Sequence, residues 1–169
     1  MDNKVVTTVG RALRTTGIPT LRFNFRGVGA SAGTFDEGIG ETADADAVAS
    51  WGALNWPGRD LVIAGFSFGA CVALRLAQQR AARNRVPKLL ITIAPAIQRV
   101  DGGTTDVPRC PWLVIQGDAD DVVDPAAVVG WARALDPKPR LVILPGAGHF
   151  FHGRLHEVRD AVIDAVRSG

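Results

Sequence analysis

Four short runs of nearly uninterrupted apolar residues constrain this chain most: residues 61–66 (LVIAGF), 89–94 (LLITIA), 112–115 (WLVI) and 141–144 (LVIL). A strand with one wet face alternates apolar and polar residues. A run that is apolar throughout belongs to a strand covered on both faces, as in a parallel sheet between helical layers. A fifth run, residues 20–25 (TLRFNF), alternates instead, with Leu21, Phe23 and Phe25 on one face and Arg22 and Asn24 on the other.

Helical stretches lie between these runs. Val5, Val6, Val9 and Leu13 form an apolar stripe opened by Asp2 or Asn3 and closed by Gly17. A second helix is expected after Gly40, carrying Ala45, Val48 and Ala49, and a third from just past Phe66 to about Arg83. Asp124-Pro125 is a good cap and first-turn pair for a fourth, with Val128, Trp131 and Leu135 on its apolar face. The last carries Leu155, Val158, Val162, Ala165 and Val166. Helices alternating with strands in this way predict an α/β domain built on a parallel sheet of about five strands.

The 169 residues, without repeat or linker, are expected to make a single domain spanning 1–169. Nineteen Lys and Arg offset seventeen Asp and Glu, and neither sign gathers into a block, so neither a nucleic-acid footprint nor a polybasic membrane patch is expected. No apolar stretch approaches the ~18 residues of a membrane span, and the first ten residues lack the apolar centre of a secretory signal. Two cysteines, Cys71 and Cys110, are too few for a disulfide framework and suit a reducing compartment, so the cytoplasm is the expected location. Both are expected to be inert, and the four tryptophans to serve packing.

The chemistry centres on Gly65-Phe66-Ser67-Phe68-Gly69, a G-x-S-x-G pattern between an apolar run and the helix-forming ACVALRLAQQRAAR. In a strand–turn–helix setting this pattern lifts a serine hydroxyl above the sheet edge, and its glycines let strand and helix approach. The following helix aims its N-terminal amides at developing negative charge, which makes the Phe68 N–H an oxyanion donor. A serine needs a base, and the base an orienting acid. Both are offered past later strands: residues 112–115 run into Gly117-Asp118-Ala119-Asp120-Asp121, and residues 141–144 into Gly146-Ala147-Gly148-His149. Asp124 is better placed as a helix cap and Asp118 lies at the strand end. Asp120 is therefore preferred as the acid, with Asp121 next; a solvated acidic loop or a cation site is the alternative for this cluster. His149 is preferred over His152 and His156, which read as surface or helix-start residues and lack the spacing of a zinc pair.

With these segments in hand, the chain resembles the α/β-hydrolase superfamily, in particular the small capless bacterial hydrolases related to the dienelactone-hydrolase group. The resemblance rests on residues 23–31 (FNFRGVGAS), 65–69, 117–123 and 145–155. It implies a three-layer α/β-hydrolase fold with a mainly parallel sheet, a Ser67–His149–Asp120 triad, and no metal or organic cofactor. It also assigns residues 27–32 (GVGASA) to a structural loop beside the site, although they formally match a dinucleotide fingerprint. Gly33, Thr34, Phe35, Gly38 and Gly40 follow them where that fingerprint requires a helix. Arg26, just ahead, is expected to hold either a carboxylate or a structural loop.

The departure from the family is at the start. The resemblance implies a strand before the first helix, lying in the sheet between residues 20–25 and 61–66, with a loop that supplies a second oxyanion amide. Here the chain starts at Met1-Asp2-Asn3, already at a helix cap, so no residue takes that role. The expectation is that Met1 is an internal methionine of a longer protein or that the chain is truncated, with either a gap or re-paired strands in the sheet. Loss of one oxyanion donor costs on the order of 10²–10³ in rate.

The function expected is hydrolysis of a small carboxylic ester or thioester through an acyl-enzyme. A catalytically weak or inactive hydrolase-fold binding protein is the alternative, and peptide cleavage a lesser one. The connection at residues 95–111, about 17 residues, is too short for a helical cap and implies an open site.

Overall fold

In the computed structural model, which describes residues 3–99 and 107–168, the four apolar runs form one four-stranded parallel sheet. Its strands are β1 (Val62–Phe66), β2 (Leu89–Ile93), β3 (Trp112–Gly117) and β4 (Arg140–Leu144), adjacent in chain order. Register is set by pairs such as Ile63 with Leu90, Ile91 with Leu113, and Ile115 with Val142. The helices are α1 (Lys4–Thr15), α2 (Ile39–Asn55), α3 (Phe68–Ala82), α4 (Pro125–Ala134) and α5 (Leu155–Ser168).

Alternate residues of the strands feed two separate cores. On one face Leu89, Ile91, Ile93, Leu113 and Ile115 pack with Val5, Val9 and Leu13 of α1 and with Val158 and Val162 of α5. On the other, Ile63, Leu90, Trp112 and Val114 pack with Val72 and Leu76 of α3 and with Val128 of α4. This is why the runs read as apolar on both sides: a helical layer covers each face. Leu90, Ile91, Val114 and Ile115 are wholly removed from water, and each such side chain contributes about 1.5–3 kcal/mol relative to exposure.

The helix starts follow local chemistry. Asn3 caps α1 by accepting the Val6 N–H at 3.1 Å, and Asp124 caps α4 by accepting the Ala126 N–H at 2.9 Å, with Pro125 at the first position. Helix α2 starts at Ile39, slightly ahead of the position expected after Gly40, because Gly38 takes a left-handed conformation and the buried Glu41 carboxylate reaches back. Glu41 accepts the Gly38 N–H at 2.8 Å and the Asp36 N–H at 2.9 Å. Burial pushes its pKa up, but these amides outweigh that and hold it below the usual carboxylate value.

The expected fifth strand does not form. Residues 20–25 carry no ladder, and among the described residues β1 is an edge strand paired only with β2. Of the two arrangements foreseen, the gap is observed and re-pairing is not. Phe23 and Phe25 pack edge to face, and Phe25 does the same on Phe68, each at 5.5 Å between ring centres. A cavity of about 510 Å³ lies between this segment and the sheet, lined by Leu21, Phe23, Phe25, Ile63, Val72 and Leu76 among others. Strand pairing requires backbones about 4.8 Å apart, and here a cavity lies where a ladder would be. Both Arg22 and its apolar neighbours Leu21 and Phe23 line the cavity, and the alternating pattern of residues 20–25 stands without a ladder partner.

Gly130 lies inside α4, and a Cβ built there meets nothing within 4 Å. Gly130→Ala is expected to stabilise the fold by ~0.5–1 kcal/mol, because glycine loses more chain entropy in a helix. Thermal unfolding should show a melting temperature raised by roughly 1–4 °C; a lowered one would contradict the α4 packing described.

Candidate active site

β1 runs straight into α3, and Ser67 stands at the turn between them with φ 54° and ψ −118°. Positive φ is strained for a residue with a Cβ, at a cost of about 1–3 kcal/mol, and must be held by its surroundings. The Ser67 N–H donates to Ile93 O at 2.8 Å, and Ser67 O accepts the Ala70 N–H at 3.0 Å. Gly65 makes the close crossing possible: a Cβ there would lie 2.0 Å from Gly69 O. Ser67 is thereby fixed at the positive end of α3, next to the Phe68 amide that opens the helix.

The loops after β3 and β4 are joined to each other. Ala119 N–H donates to Ala147 O at 3.1 Å, and Gly146 N–H to Asp118 Oδ1 at 2.5 Å. Gly117 sits so near this seam that a Cβ would come within 2.2 Å of Ala147 O. The seam brings Asp120 and His149 together, with 2.9 Å between Asp120 Oδ2 and His149 Nδ1. His149 Nε2 lies 3.0 Å from Ser67 Oγ. His149 is only 3 % exposed, and its ring is flanked by Phe66 at 4.9 Å and Phe150 at 5.1 Å.

Asp120 is held as an anion. Burial pushes its pKa up, but the Val123 N–H, His149, the Val122 N–H and the Gln116 amide together bring it below the usual value. With the carboxylate charged, the imidazole tautomer that fits carries its proton on Nδ1. Nε2 is then left to accept the Ser67 hydroxyl proton.

The other residues weighed in the sequence are placed elsewhere. Asp118 ties the two loops, Asp124 caps α4, and Asp121 is exposed beside Asp120. His152 and His156 are exposed at the approach to α5. Arg26 pairs with Asp44 of α2 through two hydrogen bonds of 2.8 Å and lies 3.6 Å from Asp36, so its carboxylate partners are in the chain itself. Residues 27–32 turn without starting a helix. Cys71 is buried with Sγ 3.2 Å from Ala96 O, and burial pushes the Cys110 thiol up to about 11. Among the described residues no group of three or more His, Cys, Asp or Glu is placed to hold a metal ion, and no helix is long and apolar enough to cross a membrane.

A family model described as serine hydrolase (FSH1) matches residues 47–157, a span that contains Ser67, Asp120 and His149. The chain belongs to this serine hydrolase family. Among solved structures, an α/β serine hydrolase without a lid from Xanthomonas campestris shares 50% identity with this FSH1 member. Its TM-score is 0.89, and the match covers 99% of this chain and 74% of that one. An α/β serine hydrolase homologue from Coxiella burnetii shares 40% identity with a TM-score of 0.88, covering 97% and 76%. An uncharacterised protein of Rickettsia prowazekii is 35% identical over 97% of this chain and 71% of its own length. The chain spans between 61% and 71% of the curated relatives it matches. The capless α/β-hydrolase fold is thus shared with these solved structures, with four strands in the sheet here where about five were expected.

Sequence reasoning missed Gln116. It is fully buried, and its Nε2 donates to Asp120 Oδ2 and Gly117 O, each at 3.0 Å, while its Oε1 has no partner among the described residues. A buried polar atom left unpaired costs about 1–3 kcal/mol, so this amide is kept at some expense beside the carboxylate. The available signal was a glutamine ending an otherwise apolar strand four residues before Asp120.

Proposed function

We propose that this chain is a serine hydrolase acting on small carboxylic esters or thioesters through an acyl-enzyme. The observation that carries the reading is the unbroken hydrogen-bonded line from Ser67 Oγ through His149 to Asp120. His149 Nε2 takes the hydroxyl proton as Ser67 Oγ bonds to the carbonyl carbon. The tetrahedral oxyanion then lies at the N-terminus of α3, where the Phe68 N–H donates to it. On collapse, the bond to the leaving oxygen or sulfur breaks, and that atom receives the proton from Nε2. Water repeats the sequence on the acyl-enzyme, its proton passing to His149, and releases the acid and Ser67. Asp120 holds the imidazole in its tautomer and stabilises the imidazolium formed in each half. None of these steps calls for a metal or organic cofactor.

The short connection after β2 supports an open site suited to small substrates, although residues 100–106 of it lie outside the described residues. The charge balance and two isolated cysteines support a cytoplasmic protein without nucleic-acid or membrane partners.

A fluorophosphonate probe tests the reading. Intact-mass and peptide analysis should show one adduct, on Ser67, which disappears when the protein is unfolded first. Labelling elsewhere, or no labelling of the folded chain, would overturn it. Gln116→Leu is expected to slow this labelling by roughly tenfold, because a hydrogen bond to the charged Asp120 is lost. The melting temperature should hold, since the orphaned Oε1 goes with the amide. Unchanged labelling would show that Gln116 has no part in holding the acid.

A further inference from the structure

The rings beside His149 have a use that the acyl-enzyme reading leaves open. In ester cleavage the leaving oxygen must come within hydrogen-bond distance of His149 Nε2 to receive its proton, so the alcohol portion lies against whatever surrounds the imidazole. Those surroundings are aromatic. Phe66 is the last residue of β1, and its ring is 4.9 Å from the imidazole at 42°. Phe150 stands edge to face on the imidazole at 5.1 Å and 87°, and 5.9 Å from Phe66. His152 continues the row, 6.0 Å beyond Phe150 at 32°.

Phe150 is not spent on packing. It is 47% exposed, whereas Phe151, its neighbour, is completely buried in the core with α5. Its position follows from the backbone: Phe151 takes a positive φ of 52°, and its N–H closes a turn onto Gly148 O at 3.0 Å. The turn puts Phe151 into the core and leaves Phe150 on the side of His149. A large apolar ring half in water beside the imidazole is an open place for another ring, because aromatic pairs gain from edge-to-face or offset contact beyond simple burial. The Phe68 ring, by contrast, packs against Phe25 at 5.5 Å and Phe35 at 5.5 Å. Phe35 is itself exposed there, but the exposed ring in contact with the imidazole is Phe150.

We infer that Phe66, Phe150 and His152 form a leaving-group subsite that selects esters whose alcohol carries an aromatic ring. The subsite rests on the acyl-enzyme reading above, and Phe150 is its specificity-determining residue.

The test compares two acetates with one acyl group and alcohols of similar acidity, benzyl acetate and 2-methoxyethyl acetate. The readout is the ratio of their kcat/KM values, so that general effects on the chemical step cancel. The wild-type ratio should favour benzyl acetate by about tenfold, the scale of a single aromatic contact. Phe150→Ala should bring the ratio close to one, and Phe150→Tyr should keep it. A wild-type ratio near one, or a preference that survives Phe150→Ala, would overturn the subsite while leaving ester hydrolysis intact. No turnover of either ester by the wild-type chain would overturn the ester reading, and the subsite with it.

Discussion

Asp120→Asn is expected to lower ester turnover by about 10⁴-fold with little change in KM or melting temperature. The size comes from the way the carboxylate is held. Its Oδ1 accepts two backbone donors, Val122 N–H at 2.9 Å and Val123 N–H at 2.8 Å. An asparagine here must turn its carbonyl oxygen to those amides, which puts its NH₂ where Oδ2 stood. That NH₂ then faces two groups that were donors to Oδ2, His149 Nδ1–H and Gln116 Nε2. The imidazole escapes the clash by moving its proton to Nε2, and Nε2 can then no longer accept from Ser67. Gln116 could turn its Oε1 to the new NH₂, but only by giving up its bond to Gly117 O. Steady-state kinetics on a small ester, with a melting curve beside them, check this. A loss below about tenfold would show that Asp120 does not fix the tautomer on which the base depends.

Gly65→Ala should be the most damaging single methyl group in the molecule. The added Cβ would sit 2.0 Å from Gly69 O, 2.4 Å from Gly69 C and 2.7 Å from Ala70 N, all of them backbone. No side chain can swing away, so β1 and the first turn of α3 must separate. Overpacking a well-filled site usually costs about 1–3 kcal/mol, and backbone on both sides places this case at the top of that range or above it. The melting temperature should fall by roughly 10 °C. Fluorophosphonate labelling should be lost even at temperatures where the variant stays folded, because Ser67 lies between the two parts that move. A variant that melts and labels like the wild type would show that the strand–helix crossing does not position Ser67.

Much of the fold could be read from the chain because each signal was local. The runs at 61–66, 89–94, 112–115 and 141–144 lack a polar face for the same reason that their strands lie between helices, and Asn3 and Asp124 cap by bonds only two or three residues long. Residues 20–25 show the limit. Alternation reports that one face is apolar, but a ladder needs a second backbone at the right distance, and that is a property of the whole sheet. The separation of four acidic residues after β3 was partly legible, since helix-cap position removes Asp124. The role of Asp118 was not, because its partner Gly146 is 28 residues away. Arg26 is the same kind of case: its carboxylate partner is Asp44, 18 residues on, and the local sequence offered no way to choose it over a substrate. Gln116 and Phe150 were passed over because a lone polar residue ending a strand and a phenylalanine beside a histidine are ordinary until the contacts around Asp120 and His149 are seen.

Attack of Ser67 on an ester carbonyl with His149 as base should appear as release of nitrophenol from a short-chain nitrophenyl ester by this chain, with Ser67→Ala as control. Catalytic turnover is expected in the wild type and, in the mutant, a fall to the rate of buffer alone. Equal rates in the two proteins would contradict it.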